Sequence, residues 1–242
     1  MADRLYLSLW FPNFRLESLP AALTGVLRQF AVIGSKHVSA ASAYPISFAE
    51  TPLYERIYVV PKETPTNAPA GQAGEALEAA VAEATEQLHD DMAYEFEMRW
   101  QLWAPEGGGA HLDEAEDAYA DPDPDPDTAA PYTVLGDLDT TWSLRPHAVR
   151  VLGFGPAFDT AGFEQNGHIL VDFGLDTPWV FETEDARPLD QVAQVRIQQN
   201  VEKLLAFTLL VEKNCGISSR LLWTESGEPL AAKLIGRLQK VN

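Results

Sequence analysis

The sequence predicts an α+β protein with a ferredoxin-like first half, from two patterns of hydrophobicity. Along residues 1–104, two-residue alternation and three-to-four-residue spacing follow each other in the order β-α-β-β-α-β, the order of a ferredoxin-like split βαβ sandwich. The clearest alternation, YEFEMRWQLW at 94–103, leaves one face polar, which is typical of an antiparallel sheet with a solvated side. Because many functions share such folds, function has to be argued from individual residues.

Four strands and two helices are expected in this first half. RLYLSLW at 4–10 alternates leucines with other side chains and predicts a strand, and apolar residues three and four apart predict a helix at about 17–30. Two extended runs follow, HVSAASAYPISFAE and LYERIYVV. The first should be an edge strand or carry a bulge, because Pro45 cannot donate a hydrogen bond. An apolar stripe from Leu77 to Leu88 predicts the second helix.

The second half, 133–242, is predicted to mix strands and helices. PHAVRVLGFG, GHILVDFG, PWVF and ISSRLLWTE are expected as strands, and EPLAAKLIGRLQKV as a closing amphipathic helix. A long helix is predicted at 189–213, with Gly216 in a left-handed conformation just after it. The second part of this helix is apolar nearly all round, so it should be central and buried. The pattern leaves open whether this half completes the first sheet or forms a separate lobe.

The charge of the chain limits its partners. The 242 residues carry a formal charge of −19, with 36 Asp and Glu against 17 Lys and Arg. Such a surface repels nucleic-acid phosphates and anionic lipid, so binding to nucleic acid or to membrane is not expected. Electrostatics favours a basic protein as the partner, and solubility alone is the simpler interpretation of the same charge.

The cysteine content and the apolar runs indicate the compartment. The single cysteine, Cys215, excludes an intramolecular disulfide, and its place at the end of the predicted long helix disfavours a thiolate nucleophile. The start of the chain lacks the pattern of a secretory leader, and no apolar run approaches the roughly 20 residues that span a bilayer. These features predict a soluble protein of the cytoplasm.

Residues 105–132 form an acidic, proline-rich segment between the two halves. Eight carboxylates lie between Asp113 and Asp127, with no Lys or Arg among them. Low hydrophobicity and high charge predict a flexible, solvated linker, and the alternative is an acidic arm that binds a basic surface. The repeat DPDPDPD is stiff and extended because each proline fixes φ, so it is not expected to enclose a calcium ion. The carboxylates assigned to the arm are Asp121, Asp123, Asp125 and Asp127.

The closing helix carries a candidate binding surface for that arm. Lys233, Arg237 and Lys240 lie within one arc of the helix, in a region that is locally positive. We expect the acidic segment to lie over this arc intermittently. The alternative is a solvated face with cations near a helix C-terminus.

His168 and Asp172 are the candidates for chemistry. They share one face of a predicted strand, about 13 Å apart, which is too far for a direct hydrogen bond. A catalytic role would need further groups, such as Asp159 or Glu164, around a common cleft. The alternative is a pair of surface polar residues on a half-buried strand. The histidines and the lone cysteine show no metal-ligand spacing, so neither a metal nor a cofactor is expected.

Two tryptophans lie on the strand face opposite the apolar stripe beside them. Trp10 and Trp103 are expected either to pack against a helix or to form an exposed interaction patch.

Together these features favour a non-enzymatic, protein-binding module of the inhibitor or immunity type that neutralises a basic partner. An enzyme or small-ligand binder around His168 and Asp172, and a structural subunit of an assembly, stay open as alternatives. The oligomeric state is not predicted.

Overall fold

The computed structural model describes residues 2–45, 55–57, 70–106, 141–158, 166–180 and 190–233. Both strands and helices occur in these ranges, and the α+β class is confirmed. The strands are β1 Arg4–Trp10, β2 Ala40–Pro45, β3 Glu55–Ile57, β4 Met92–Pro105, β5 Trp142–Phe154, β6 Ile169–Leu175 and β7 Ser219–Thr224. The helices are α1 Leu19–Ile33, α2 Ala70–Ala84, α3 Thr177–Val180 and α4 Gln191–Asn214, and a helical turn also covers 230–233.

The described strands form one seven-stranded sheet in the order β3-β2-β4-β5-β6-β1-β7, with all neighbours antiparallel. The first half has the expected element order β-α-β-β-α-β. The specific ferredoxin-like topology is not confirmed, because in that fold the first strand lies beside the fourth. Here β5 and β6 lie between β4 and β1, since β1 takes its backbone partners from β6 and β7 far along the chain.

The sheet therefore contains strands from both halves of the chain. The two strands that flank the acidic segment, β4 and β5, pair along thirteen positions from Ala93↔Phe154 to Pro105↔Trp142. The backbone N–H of Glu106 donates to Thr141 O at 2.6 Å just beyond that ladder. The acidic segment thus joins the adjacent ends of two paired strands, although residues 107–140 lie outside the described part of the chain.

One face of the sheet carries the hydrophobic core. The inward residues of the 94–103 alternation are at most 2% exposed, so that strand and its inward face are as predicted. Helices α1 and α4 pack on this face, where Phe30, Trp100 and Phe173 bring aromatic rings within 6 Å of Phe207 or of each other. Packed aromatic pairs of this kind add to the stabilisation from burial itself.

The long helix at 189–213 is present as α4, but its burial differs from expectation. Leu204, Phe207 and Val211 are fully buried, whereas Leu205 and Leu209 are 49% and 57% exposed. The helix lies on the outside of the sheet layer rather than inside the core, so only one of its faces is covered. An apolar outer face therefore reaches solvent.

Two smaller predictions need correction. PWVF was expected as a strand, but Thr177–Val180 forms a helical turn, in which Asp176 O accepts the N–H groups of Trp179 and Val180 at 2.9 Å. The strand with Pro45 is not an edge, because β2 lies between β3 and β4. Pro45 is tolerated there as the last residue of the strand, beyond the ladder to β3.

Candidate functional site

The second face of the sheet, opposite the helices, presents the side chains that alternate with the core. We call it the open face. Across five strands, the register aligns one row of this face as Glu97↔Arg150↔Asp172↔Tyr6↔Trp223. Opposite charges alternate along the first three positions of the row, so directly opposed side chains attract one another.

Ion pairs continue along this row. Arg4 Nη1 lies 3.3 Å from Asp172 Oδ2, and Arg150 Nε lies 3.6 Å from Glu95 Oε1. Tyr44 donates its hydroxyl to Glu95 at 3.0 Å. The carboxylates at the centre of the open face are therefore neutralised within the molecule, and this part of the surface does not act as an uncompensated acidic patch.

An aromatic pair closes the row at β7. The rings of Tyr6 and Trp223 stack with centroids 4.6 Å apart, and Trp223 Nε1 donates to Ser8 Oγ at 2.9 Å. Ser8 is fully buried beneath this pair, and burial raises the pKa of the Tyr6 phenol. Tyrosine, tryptophan and arginine on one flat surface are the residue types that dominate protein-protein interfaces.

His168 lies just before β6, where it serves as a packing and hydrogen-bonding residue. The N–H of Phe11 donates to His168 Nδ1 at 3.0 Å, and the imidazole stacks on Phe14 at 4.2 Å. Gly167 precedes it with φ of +86°, and a Cβ there would meet the backbone of Leu9 at 2.8 Å. Glycine is thus needed for the turn that brings His168 against β1. Burial lowers the pKa of this imidazole.

Asp172 lies farther along β6 and has a separate set of contacts. Its Oδ1 accepts the N–H of Gly174 at 2.8 Å, its Oδ2 faces Arg4, and the residue is 7% exposed. Ile169, Val171 and Phe173, which alternate with the two candidates along β6, are fully buried on the other face of the strand. The structure does not bring His168 and Asp172 together. Asp159 and Glu164, the further groups of that hypothesis, lie outside the described residues.

Lys233 of the predicted basic arc is engaged inside the folded body. Its Nζ lies 2.8 Å from Asp176 Oδ2 and 3.1 Å from Asp3 Oδ2, and its side chain is only 9% exposed. Ser226 donates to Asp3 as well, and the hydrogen bonds from Ser226 and Lys233 hold the pKa of Asp3 well below its ordinary value. The acidic partners of Lys233 are therefore Asp3 and Asp176. The remaining residues of the binding hypothesis, Asp121, Asp123, Asp125, Asp127, Arg237 and Lys240, lie outside the described part of the chain.

Trp10 and Trp103, which were expected either to pack against a helix or to form an exposed patch, have different surroundings. Trp10 lies half-buried on the open face, at the end of β1. Trp103 lies under the guanidinium of Arg196, 3.6 Å from the ring centroid, beside a shallow groove between β4 and α4. Trp103 is thus a helix-facing residue, and Trp10 belongs to the open face.

Asn200 was missed by the sequence reasoning. Its carboxamide accepts the N–H of Trp103 at 2.9 Å and donates to Trp103 O at 2.9 Å and to Pro178 O at 2.8 Å. The pairing of β4 with β2 ends at Glu97. Farther along β4, the side-chain amide of Asn200 supplies the hydrogen bonds that a neighbouring strand would make. The only sequence signal was a polar residue in line with the buried stripe of α4.

An acidic strip runs along α2 and the turn after it. All its carboxylates are on exposed residues, and no Lys or Arg occurs between 74 and 91. One of them, Glu78, pairs with Arg28 of α1. The strip faces away from the core, which the helix contacts through Leu77, Ala80, Val81 and Ala84. Its members are Glu75, Glu78, Glu83, Glu86, Asp90 and Asp91.

The single cysteine of the chain is not poised for chemistry. Burial raises the pKa of Cys215 to about 11, which leaves the thiol protonated at neutral pH. Within the described ranges, no three His, Cys, Asp or Glu side chains are arranged to hold a metal ion, and no helix combines the length and hydropathy required to cross a membrane. Comparison with protein-family models, curated proteins and solved structures yields no match.

Proposed function

We propose that this protein is a non-enzymatic, protein-binding module that recognises a basic partner, in the manner of an inhibitor or immunity protein. The observation that carries the proposal is the acidic strip on α2 and the turn after it. Its carboxylates are exposed on a helix that packs on the core and on the turn after it, and among them only Glu78 has a described ion pair. Uncompensated, pre-organised charge of this kind speeds encounter with a positively charged protein and selects against acidic ones.

The acidic strip differs from the rest of the acidic surface. On the open face, Glu95 and Asp172 already face arginines, and Asp3 and Asp176 share Lys233. A partner that approached those carboxylates would have to displace existing ion pairs. The acidic strip offers its charge without that loss, so it is the part of the described surface that fits a cluster of lysines or arginines best.

The test is capture of partners from a lysate of the source organism, followed by kinetic measurement with the purified partner. A variant with Glu75→Gln, Glu83→Gln, Glu86→Gln and Asp90→Asn removes four charges from the strip. We expect a basic partner that binds with one-to-one stoichiometry and associates at least about tenfold more slowly with this variant. Raising salt should slow association of the unmodified chain as well, because exposed charges are screened.

A matched control removes the same number of charges elsewhere, with Glu17→Gln, Glu212→Gln, Glu225→Gln and Glu228→Gln, all on exposed residues. Full retention of association by this control assigns recognition to the acidic strip. Equal loss in both variants would mean that only total charge matters. A specific partner that is neutral or acidic, or binding that neither variant changes, would contradict the proposal.

A further inference from the structure

The outer face of α4 carries a regular seam that is apolar towards both ends and polar at its centre. Its members follow each other at intervals of three, four, three, four and three residues, the a/d spacing of a coiled coil. Val192, Val195 and Leu209 in this seam are 54%, 46% and 57% exposed. We call these positions the α4 seam: Val192, Val195, Gln199, Glu202, Ala206 and Leu209.

We propose that the α4 seam joins two copies of this chain as an antiparallel helix pair. The seam is self-complementary about a point between residues 200 and 201. Reversal of one copy places Val192 opposite Leu209 and Val195 opposite Ala206, so in each pair a larger side chain meets a smaller one. A two-fold axis through this point uses the same surface on both copies, as closed dimers require.

The polar centre of the seam selects the antiparallel direction. Reversal places Gln199 of each copy opposite Glu202 of the other, where a carboxamide N–H donates to a carboxylate twice by symmetry. A parallel pair would instead oppose Glu202 to its own copy, and like charges in contact are unfavourable. Within the chain, Gln198 already donates to Glu202 at 2.9 Å, which holds the carboxylate at the helix surface.

Two basic side chains beside the seam are held by contacts within the chain. Arg196 stacks on Trp103 and donates through Nη1 to Gln199 Oε1 at 3.1 Å, and Lys203 donates to Gln101 O. Because Arg196 occupies the carboxamide oxygen of Gln199, the N–H groups of that carboxamide are the atoms that would face Glu202 of the second copy. The groove beside them is lined by Trp103, Gln199, Glu202, Lys203 and Ala206, and it leaves room for the side chains of a second helix.

The helix is rigid before it associates. Asp190 caps its N-terminus through the N–H of Ala193 at 2.6 Å, and the opposite face is buried through Leu204, Phe207 and Val211. Pre-organisation lowers the entropy cost of binding. The seam runs from Val192 to Leu209, about 26 Å at 1.5 Å per residue, so the contact is smaller than that of an obligate dimer.

Charge gives the dimer a salt dependence opposite to that of the proposed function. Each chain carries −19, so two copies repel each other, and salt should strengthen a seam made of apolar contacts. Binding of a basic partner to the acidic strip should weaken under the same conditions. Failure of one proposal is thus distinguishable from failure of the other.

Sedimentation equilibrium of the full chain tests the seam. At about 100 μM protein, in the concentration range where small interfaces associate, we expect dimer that increases with salt. Leu209→Glu should return the chain to monomer. Leu221→Glu, at a site of similar exposure (52%) on the open face, should leave the dimer intact. A chain that stays monomeric at high salt, or a dimer that Leu209→Glu leaves unchanged, would overturn the proposal.

Engineered disulfides test the direction of the pair. A chain with Val195→Cys and Ala206→Cys should give a covalent dimer on mild oxidation, while Val195→Cys alone should not. The two positions lie about 16 Å apart along one helix, beyond the roughly 7 Å that a disulfide spans, so no intrachain bond competes. Cys215 is present in both variants, so the variant with Val195→Cys alone also measures any cross-linking through Cys215. Cross-linking of the single variant to the same extent would show that the antiparallel arrangement is wrong.

Discussion

At the scale of single residues, Asn200 decides how β4 ends. The amide is 1% exposed and satisfies both backbone groups of Trp103, where β2 no longer pairs with the strand. A buried backbone group that has no hydrogen-bond partner destabilises a fold by more than an ordinary hydrogen bond stabilises it. The contact also fixes the C-terminal half of β4 against α4.

Asn200→Ala should therefore lower the free energy of unfolding by about 2–3 kcal/mol, because Trp103 and Pro178 lose a shared partner. Urea unfolding followed by circular dichroism measures the change. Gln198→Ala, two residues away on an exposed position, should stay within about 0.5 kcal/mol of the unmodified chain. A loss of stability of equal size in both variants would indicate a general effect on α4 rather than the loss of the hydrogen bonds between Asn200 and Trp103.

His168 should give the fold a dependence on pH. Its folded-state pKa lies below the ordinary value of 6.5 because the ring is partly buried. The unfolded chain therefore binds the proton more readily than the folded chain does. The stabilisation of the fold by neutral His168 is complete above the pKa of the unfolded chain, and it is lost as the pH falls through the pKa of the folded chain. Protonation would also end the acceptance of the Phe11 N–H by Nδ1.

We expect the free energy of unfolding to fall between pH 7 and pH 5 by more in the unmodified chain than in His168→Gln, which cannot titrate. Urea unfolding across that range gives both curves. His37→Gln serves as a control at a histidine elsewhere on the molecule. Parallel curves for the unmodified chain and for His168→Gln would assign the dependence to other groups.

At the scale of elements, a buried lysine joins the two ends of the described chain. Lys233 lies in the helical turn at 230–233 and donates to Asp3, just before β1, and to Asp176, just before α3. Burial by itself lowers the pKa of Lys233, but the hydrogen bonds that its ammonium donates to Asp176 and Asp3 raise that pKa by more, so the ammonium stays charged. Three elements distant in sequence are thus fixed at one point.

Removal of this cation should be costly. Lys233→Met is expected to destabilise the fold by about 3–5 kcal/mol, because Asp176 is left buried and uncompensated. Asp176→Asn in the same chain should recover part of the loss. Arg220→Gln, which breaks a more exposed pair with Glu212, should cost less than about 1 kcal/mol. Thermal unfolding of the four chains compares these values, and equal effects of Lys233→Met and Arg220→Gln would show that the buried pair has no special weight.

At the scale of the whole molecule, the sheet joins the two halves of the chain. Strand β1 of the first half lies between β6 and β7 of the second, and β4 pairs with β5. Either half alone would expose the backbone groups of a strand that is now interior, together with the apolar side chains beneath it.

The chain should accordingly unfold in one cooperative transition. Residues 1–104 alone are not expected to give dispersed amide resonances in NMR, because β1 has no described neighbour within that fragment. Mixing 1–104 with 133–242 should restore the spectrum of the intact chain. A fragment 1–104 that folds by itself, or two separate thermal transitions, would contradict this view of the molecule.

The sequence by itself determined the local features of this protein. Alternation predicted β1, β4 and the buried face of each, and apolar stripes at helical spacing predicted α1 and α2. The long helix predicted at 189–213 is present as α4, and Gly216 takes the left-handed conformation expected after it. These features depend on side chains that are neighbours along the chain, so their periodicity is visible in the letters. The net charge, and with it the kind of partner proposed, is likewise a property of composition.

Only the tertiary structure decided which strands pair and which polar residues meet. Backbone hydrogen bonds are the same for every residue type, so alternation places a strand in a sheet without naming its neighbours. Asn200 bonds Trp103 and Pro178, which lie 97 and 22 residues away along the chain. Lys233 bonds Asp3 and Asp176, which lie 230 and 57 residues away. The one-sided burial of α4 follows for the same reason, because the pattern shows which residues are apolar but not how many layers cover them.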